Sequence, residues 1–370
     1  MHRWSRLSSF LKDNENQEEK WLYDSESERK EYLINASFGK SVNFLSLKKP
    51  IINDFSHQLS TIKNRVSSLY KPENLEDISN CPICNSSLSN SKKLFAIYGV
   101  HYFQCSECLH SFVKQRPTLE ILNKFYEDDV GYQGTYADKK NLDIRIQDVV
   151  MPKVKWVMKE FERAYKRKPL KILDVGAGSG HFVYACRHQG LNADGVELSA
   201  SGKDFCEKNF GFSLIKDDFI KNFSRFSEYD CITFWGVIEH IPYPIHMLQA
   251  AFNILKNKEG LIVAEVPRWE SLTTVVQSFN TDNVVRHLDP SGHIHCFTDS
   301  SLSTAFKLSG FQLFGAWYYG MDAYELFMQL SIKRSDDQII KSNGENLNLL
   351  QKKLDGARLS DFIALSGKSI

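Results

Sequence analysis

The sequence of 370 residues predicts an α/β fold, and three observations carry that prediction. A short apolar strand runs into a glycine-rich turn and then a helix over residues 171–182. Further strand-sized apolar runs, ended by polar or acidic turns, follow as far as Pro267. Ahead of them, two C-x-x-C pairs mark a small separate module of metal-binding size.

In the first unit, Ile172, Leu173 and Val175 are branched apolar residues of the kind that fill a strand covered on both faces. Gly176, Gly178 and Gly180 then let the backbone turn sharply and approach a ligand more closely than side chains permit. Such a turn suits a nucleoside-bearing cofactor. A dinucleotide fingerprint wants G-x-G-x-x-G, whereas the spacing here is G-x-G-x-G with His181 where the third glycine would fall. A phosphate-cradling P-loop would need a Gly-Lys-Ser/Thr ending, which is absent.

The next elements follow in order. Residues 181–189 read as a helix, and Leu191–Glu197 as a second strand ending in a carboxylate. An acid at that place can accept hydrogen bonds from both hydroxyls of a ribose, which by itself also suits NAD. A third strand is expected over Phe212–Lys216, closed by Asp217, Asp218 and Phe219, where a carboxylate and a ring could meet an adenine. A fourth, Asp230–Trp235, precedes Gly236–Pro242. Ligands of open α/β sheets sit outside the carboxyl ends of the strands, so the fold class is a Rossmann-like, doubly wound sheet with its site at these turns.

These motifs resemble those of the class I methyltransferases that use S-adenosylmethionine (SAM). The stretch "LDVGAGSG" resembles the turn that holds the methionine part of SAM, which implies that role for Asp174, Gly176, Gly178 and Gly180. By the same resemblance Glu197 holds the ribose and Asp218 with Phe219 meets the adenine, with Asp217 and Trp235 counted in the cofactor-facing set. "FWGVIEHIPYP" is similar to the segment after strand four, and "NILKNKEGLIVAEVP" to the helix, turn and fifth strand. Asn257-Lys258-Glu259-Gly260 departs from the usual Pro-Gly-Gly, which changes a turn and touches no ligand. The resemblance covers about residues 169–330.

Cys81, Cys84, Cys105 and Cys108 form two knuckles separated by 20 residues, the spacing of a zinc ribbon. Leu94–Tyr98 and His101–Gln104 read as a hairpin around Gly99 between them. Four thiolates close a tetrahedral site and leave no position to activate water, so the expected Zn2+ is structural. The alternatives are two disulfides, a redox C-x-x-C, or His110 replacing Cys108 as fourth ligand. Cys186, Cys206, Cys231 and Cys296 read as small core residues.

Composition fits a core of substantial size, with 42% hydrophobic residues. Lys and Arg number 46 against 45 Asp and Glu, a balance that argues against a nucleic-acid partner gripped by its phosphates. No apolar run reaches membrane-span length, and the expected location is cytoplasmic; the basic, serine-containing start to Lys12 also faintly resembles a mitochondrial presequence. The expected domains are a helical, partly disordered extension (1–75), the ribbon (76–116), a helical linker or lid with Tyr132 and Tyr136 (117–168), the catalytic domain (169–333) and a polar tail (334–370).

Methyl transfer needs alignment and, where the acceptor carries a proton, a base. His240, just after strand four beside Glu239, is one candidate. His293 and His295 are the others, in the stretch Pro290–Thr298, which resembles a His-x-x-x-Phe-Ser/Thr segment of part of the family. No third ligand that would make a metal site of His293 and His295 is evident in the sequence. A ribbon ahead of this catalytic domain resembles methyltransferases of sugars and nucleotide-linked sugars, which implies a small-molecule or saccharide acceptor methylated on a hydroxyl or activated carbon. The alternatives are a ribbon-bearing RNA base methyltransferase and a SAM-binding scaffold without turnover. No Asn-Pro-Pro-Tyr-type motif for amino-group methylation follows strand four.

Overall fold

The computed structural model describes residues 2–7, 16–127 and 142–369. Its strands are β1 (His2–Arg6), β2 (Asn16–Ser25), β3 (Arg29–Phe38), β4 (Leu75–Asp77), β5 (Lys92–Ile97), β6 (Val100–Gln104), β7 (Ser111–Val113) and β8 (Gln115–Pro117). They continue with β9 (Ile172–Val175), β10 (Ala193–Val196), β11 (Cys231–Trp235), β12 (Leu261–Pro267), β13 (His295–Cys296), β14 (Phe311–Tyr319) and β15 (Phe362–Ser369).

Nine strands form one sheet in the order β1-β2-β3-β14-β15-β12-β11-β9-β10. One end of it, β12, β11, β9 and β10, is parallel, and β12 and β9 are buried along their whole length. Helices Met151–Tyr165, His181–His188 and Pro244–Leu255 cover the faces, with apolar residues such as Val157, Phe161, Leu248 and Leu255 turned inward. The register sets Thr233 of β11 against Asp174 of β9, a pairing that shapes the site.

Both ends of the chain differ from expectation. The extension contains strands β1–β3, which lengthen the main sheet through β3 and β14, before helices Phe44–Asn53 and Phe55–Leu69. Alternation in β2 is obscured in the sequence because Glu19 points inward, where it accepts from Trp21 Nε1 at 2.9 Å and pairs with Arg358. The polar tail is likewise structural. Its strand β15 lies antiparallel between β14 and β12, with Ile363, Ala364 and Leu365 wholly buried, so the catalytic sheet is completed only near Ser369.

Phe212–Lys216 is not a ladder strand; it contributes the single bridge Val196↔Ile215. The lid residues Tyr132 and Tyr136 lie outside the described residues. In the Cys module β5 and β6 make the expected hairpin, turned through Tyr98 (φ 51°) and Gly99 (φ 81°). The module's sheet runs β13-β7-β6-β5, so its last strand is the stretch carrying His295.

Candidate active site

Gly176, Gly178 and Gly180 all have positive φ, at 71°, 57° and 76°. A Cβ on Gly176 would come within 2.7 Å of Val237 Cγ2, and one on Gly180 within 2.5 Å of Cys206 Sγ. The turn is therefore both conformationally and sterically closed to side chains. Asp174, just ahead of it, accepts a 2.7 Å hydrogen bond from Thr233 Oγ1. Burial pushes its carboxyl up to about 7.

Glu197 follows β10 and accepts from Gly178 N–H and Ser199 N–H, each at 2.7 Å. One carboxylate thus binds the glycine turn to the start of the helix Ala200–Phe210, and it remains half-buried at the turn's edge. Asp218 is half-buried and accepts from Lys221 N–H at 3.1 Å. Asp217 instead turns inward, accepting from Asn222 at 2.6 Å and pairing with Arg225. Phe219 packs in the core against Phe226 and Phe234, which gives its ring a packing role in place of the expected adenine face. Trp235 lies against Phe182, with Lys153 Nζ 4.6 Å from its ring centroid; its indole Nε1 is buried without a partner. His181, in the third-glycine position, is buried against Phe205 and Phe210. A turn that a Cβ would fill, with a carboxylate at its rim, fits SAM.

Val237, the residue packed on Gly176, belongs to the loop that carries Glu239 and His240. His240 Nδ1 donates to Gly292 O at 2.9 Å, and His293 Nδ1 donates to His287 O at 2.5 Å. A carbonyl only accepts, so the Nδ1 of each ring carries a proton and Nε2 stands on the ring's other side, and His240 makes a further hydrogen bond with the Gly236 backbone. Those Nε2 atoms lie 3.6 Å (His240) and 3.9 Å (His293) from Glu239 Oε1. Burial lowers His240 to about 3 and His293 to about 4, and raises Glu239 to about 8. His295 is placed elsewhere. It is fully buried, with Nδ1 3.0 Å from His110 Nε2 and Nε2 donating to Ile241 O at 3.0 Å, so it braces the loop and does not face an acceptor.

Cys81 and Cys108 Sγ lie 3.7 Å apart, as do those of Cys84 and Cys105. Four sulfurs about 2.3 Å from one tetrahedral ion would sit about 3.8 Å from each other. The four thiols fit zinc, and none of them is in a disulfide. His110 is not among them, being turned to His295 and Ser301.

Sequence reasoning did not find the contacts that join this module to the Glu239 loop. β7 pairs with β13, and Val113 N–H donates to Ile294 O at 2.9 Å. Tyr102 O–H donates to His293 O at 2.9 Å, and Arg116 Nη1 to Pro242 O at 2.8 Å. Arg116 is fully buried and also meets Glu76 at 2.9 Å. Glu239 itself, a lone charge in the apolar run Gly236–Pro242, was the available signal for the cluster.

Residues 153–314 match the family model described as "Methyltransferase domain". Two ubiquinone biosynthesis O-methyltransferases of Actinobacillus pleuropneumoniae are similar: that of serotype 7 (strain AP76) is 27% identical over 108 residues, and that of serotype 5b (strain L20) 26%. In both cases 26% of this chain and 46% of the relative are covered, so the chain spans about half the length of the curated relatives it matches. A solved SAM-dependent methyltransferase from Archaeoglobus fulgidus is 19% identical, with a TM-score of 0.40, covering 63% of this chain and 100% of that one. The magnesium protoporphyrin IX methyltransferase of Synechocystis PCC 6803 is 12% identical, with a TM-score of 0.44, over 68% and 100%. The fold is the Rossmann-like α/β fold of methyltransferases, and the glycine turn and Glu197 lie within the segment that matches the methyltransferase-domain model. Among the described residues no helix is long and apolar enough to cross a membrane.

Proposed function

We propose that this chain is a SAM-dependent methyltransferase acting on an oxygen of a polyhydroxylated small molecule, with saccharides the favoured class. One observation carries the proposal: the cradle at Gly176 packs on Val237, two residues before Glu239, so the cofactor turn and a polar cluster share one loop. When bound, SAM supplies a methyl group activated by its sulfonium. The chain's part is to align an acceptor with that methyl, a contribution of roughly 7–11 kcal/mol in a well-oriented pair. Glu239, His240 and His293 supply the polar groups at which an acceptor hydroxyl would be held and its proton received. The balanced charge of +1 supports a small acceptor over RNA. Oxygen is favoured over carbon because the relatives are named O-methyltransferases.

The test is incubation of the purified chain with methyl-labelled SAM and separated pools of small molecules, glycans, RNA and protein. Label in the glycan or small-molecule pool, stable to mild base as an ether is, is the expected result. Label confined to RNA or protein would overturn the acceptor class, and SAM binding with no label in any pool would overturn turnover itself.

A further inference from the structure

Two lysines of the N-terminal extension stand at the sheet edge that carries the glycine turn. β3 is parallel to β14, β14 and β12 are both antiparallel to β15, and β12, β11 and β9 are parallel, so β3, β14, β12, β11 and β9 all end at one edge. Lys40 follows the end of β3 there, as Gly176 follows β9 and Gly236 follows β11. Lys48 lies in the next helix, Phe44–Asn53. We propose that Lys40 and Lys48 line an oxyanion-binding subsite beside the glycine turn, which takes a phosphate or carboxylate group carried by the methyl acceptor.

Position is the first support. Gly39 N–H donates to Tyr318 O at 2.8 Å and Trp317 Nε1 donates to Gly39 O at 3.0 Å, which pins the chain just ahead of Lys40. Lys40 Nζ stands 4.0 Å from the centroid of the Tyr319 ring. That ring stacks on Phe362 at 6.2 Å, and the Arg286 guanidinium lies 5.8 Å from the Phe362 centroid. Lys48 feels the charges of Arg286 and Arg145, and Lys40 that of Lys153, which also reaches Asp174 and Glu239. Cations therefore border the site from the glycine turn to Arg286.

Charge balance is the second. Among the described residues neither Lys40 nor Lys48 has a hydrogen bond or an ion pair through its ammonium. The acids within their reach are engaged elsewhere. Glu265 pairs with Lys153 at 2.9 Å, Asp361 and Glu325 with Arg286, and Asp355 accepts from Gln351 at 2.7 Å and Ser360 at 2.8 Å. Both lysines keep open surface, yet burial, helped by Lys153 for Lys40 and by Arg286 for Lys48, brings each ammonium down to about 7. A side chain that is both reachable and desolvated lies in a recess, and an anion entering it would favour the charged form of both amines. Tyr319, beneath Lys40, is 1% exposed, and its hydroxyl has no hydrogen-bond partner among the described residues. It is a buried donor left without an acceptor.

Lysines bind phosphate and carboxylate as point charges, so the pair selects for negative charge. Ligands of open α/β sheets sit outside the carboxyl ends of the strands, which is where both lysines stand. That the anion belongs to the methyl acceptor rests on the methyltransferase reading, although anion binding itself does not.

Calorimetric titration of the full chain, saturated with S-adenosylhomocysteine, with inorganic pyrophosphate and separately with glucuronate tests the subsite. The expected result is one-to-one binding of at least one anion, and which of them binds separates a phosphate source from a carboxylate source. Lys40→Gln/Lys48→Gln should weaken that binding at least tenfold and leave the affinity for S-adenosylhomocysteine unchanged, while Lys40→Arg/Lys48→Arg should retain both. Binding of neither anion, equal anion affinity in the glutamine variant, or loss of S-adenosylhomocysteine binding in it would overturn the subsite. Anion binding through the lysines by a chain that methylates nothing would leave the subsite standing and overturn the proposed activity.

Discussion

His110 Nε2 lies 3.0 Å from His295 Nδ1, in a fully buried contact between the residue two places after Cys108 and the strand that follows His293. Through His295 Nε2, which donates to Ile241 O, the four-cysteine module reaches the residue beside His240. The module is thus a brace for the loop that carries the polar cluster, and its sheet ends in β13, the strand two residues after His293.

Replacing His110 by alanine removes that brace and leaves a buried His295 nitrogen unpaired. The loss should cost about 1–3 kcal/mol of stability. Because small misplacements near the chemistry are costly, kcat should fall about ten- to a hundredfold while the Kd for SAM stays unchanged. Steady-state kinetics and calorimetry below the unfolding temperature check both. An unchanged kcat would remove the bracing role.

Metal held by the four sulfurs should contribute directly to folding, since a site of this kind exists only in the folded chain. Cys81→Ser, at a position 2% exposed, is expected to lower metal content by one ion per chain and to lower Tm markedly. Elemental analysis with a thermal melt tests this, and a variant that melts with the wild type would contradict it.

Asp174 gives a pH dependence with a definite sign. Burial raises its folded pKa from 3.8 to about 7, so the folded state favours the protonated form. Its favourable contribution is complete below about pH 4 and is lost as pH rises to about 7, a change of about 4 kcal/mol at most. Asp174→Asn can still accept from Thr233 but does not ionise. Its Tm should fall less than that of the wild type between pH 5 and pH 8. Parallel pH profiles for the two proteins would refute the assignment.

Gly180→Ala should destabilise the chain by about 1–3 kcal/mol, because the added Cβ falls 2.5 Å from Cys206 Sγ at a φ of 76°. Adding Cys206→Ala should restore the part due to the clash and leave the part due to the backbone. Urea melts of the two variants measure each share; equal stability in both would mean that the contact is not tight.

The centre of the fold was legible because its signals are local. Ile172–Val175, the three glycines and Glu197 sit within one strand–turn–helix–strand unit, and each cysteine pair spans four residues. The ends were not, because their burial depends on distant partners. Glu19 looks solvated until Arg358 is brought to it, and Phe362–Ser369 looks like a tail until β12 and β14 leave a gap between them. The same reason hid the Glu239 cluster, since His293 comes from a loop more than 50 residues away. His293 and His295 are two positions apart in sequence, yet only His293 meets Glu239, while His295 lies along β13 and turns to His110.

SAM binding at the glycine turn is the claim on which the rest depends, and calorimetric titration of the wild type and of Glu197→Ala with SAM tests it most directly. Glu197 bonds Gly178 and Ser199 at 2.7 Å, so its loss should loosen the turn as well as remove the proposed ribose acceptor. The expected result is saturable one-to-one binding by the wild type and at least tenfold weaker binding by the variant, with circular dichroism unchanged. No binding by a folded wild-type chain, or equal affinity in the variant, would contradict the cofactor site described.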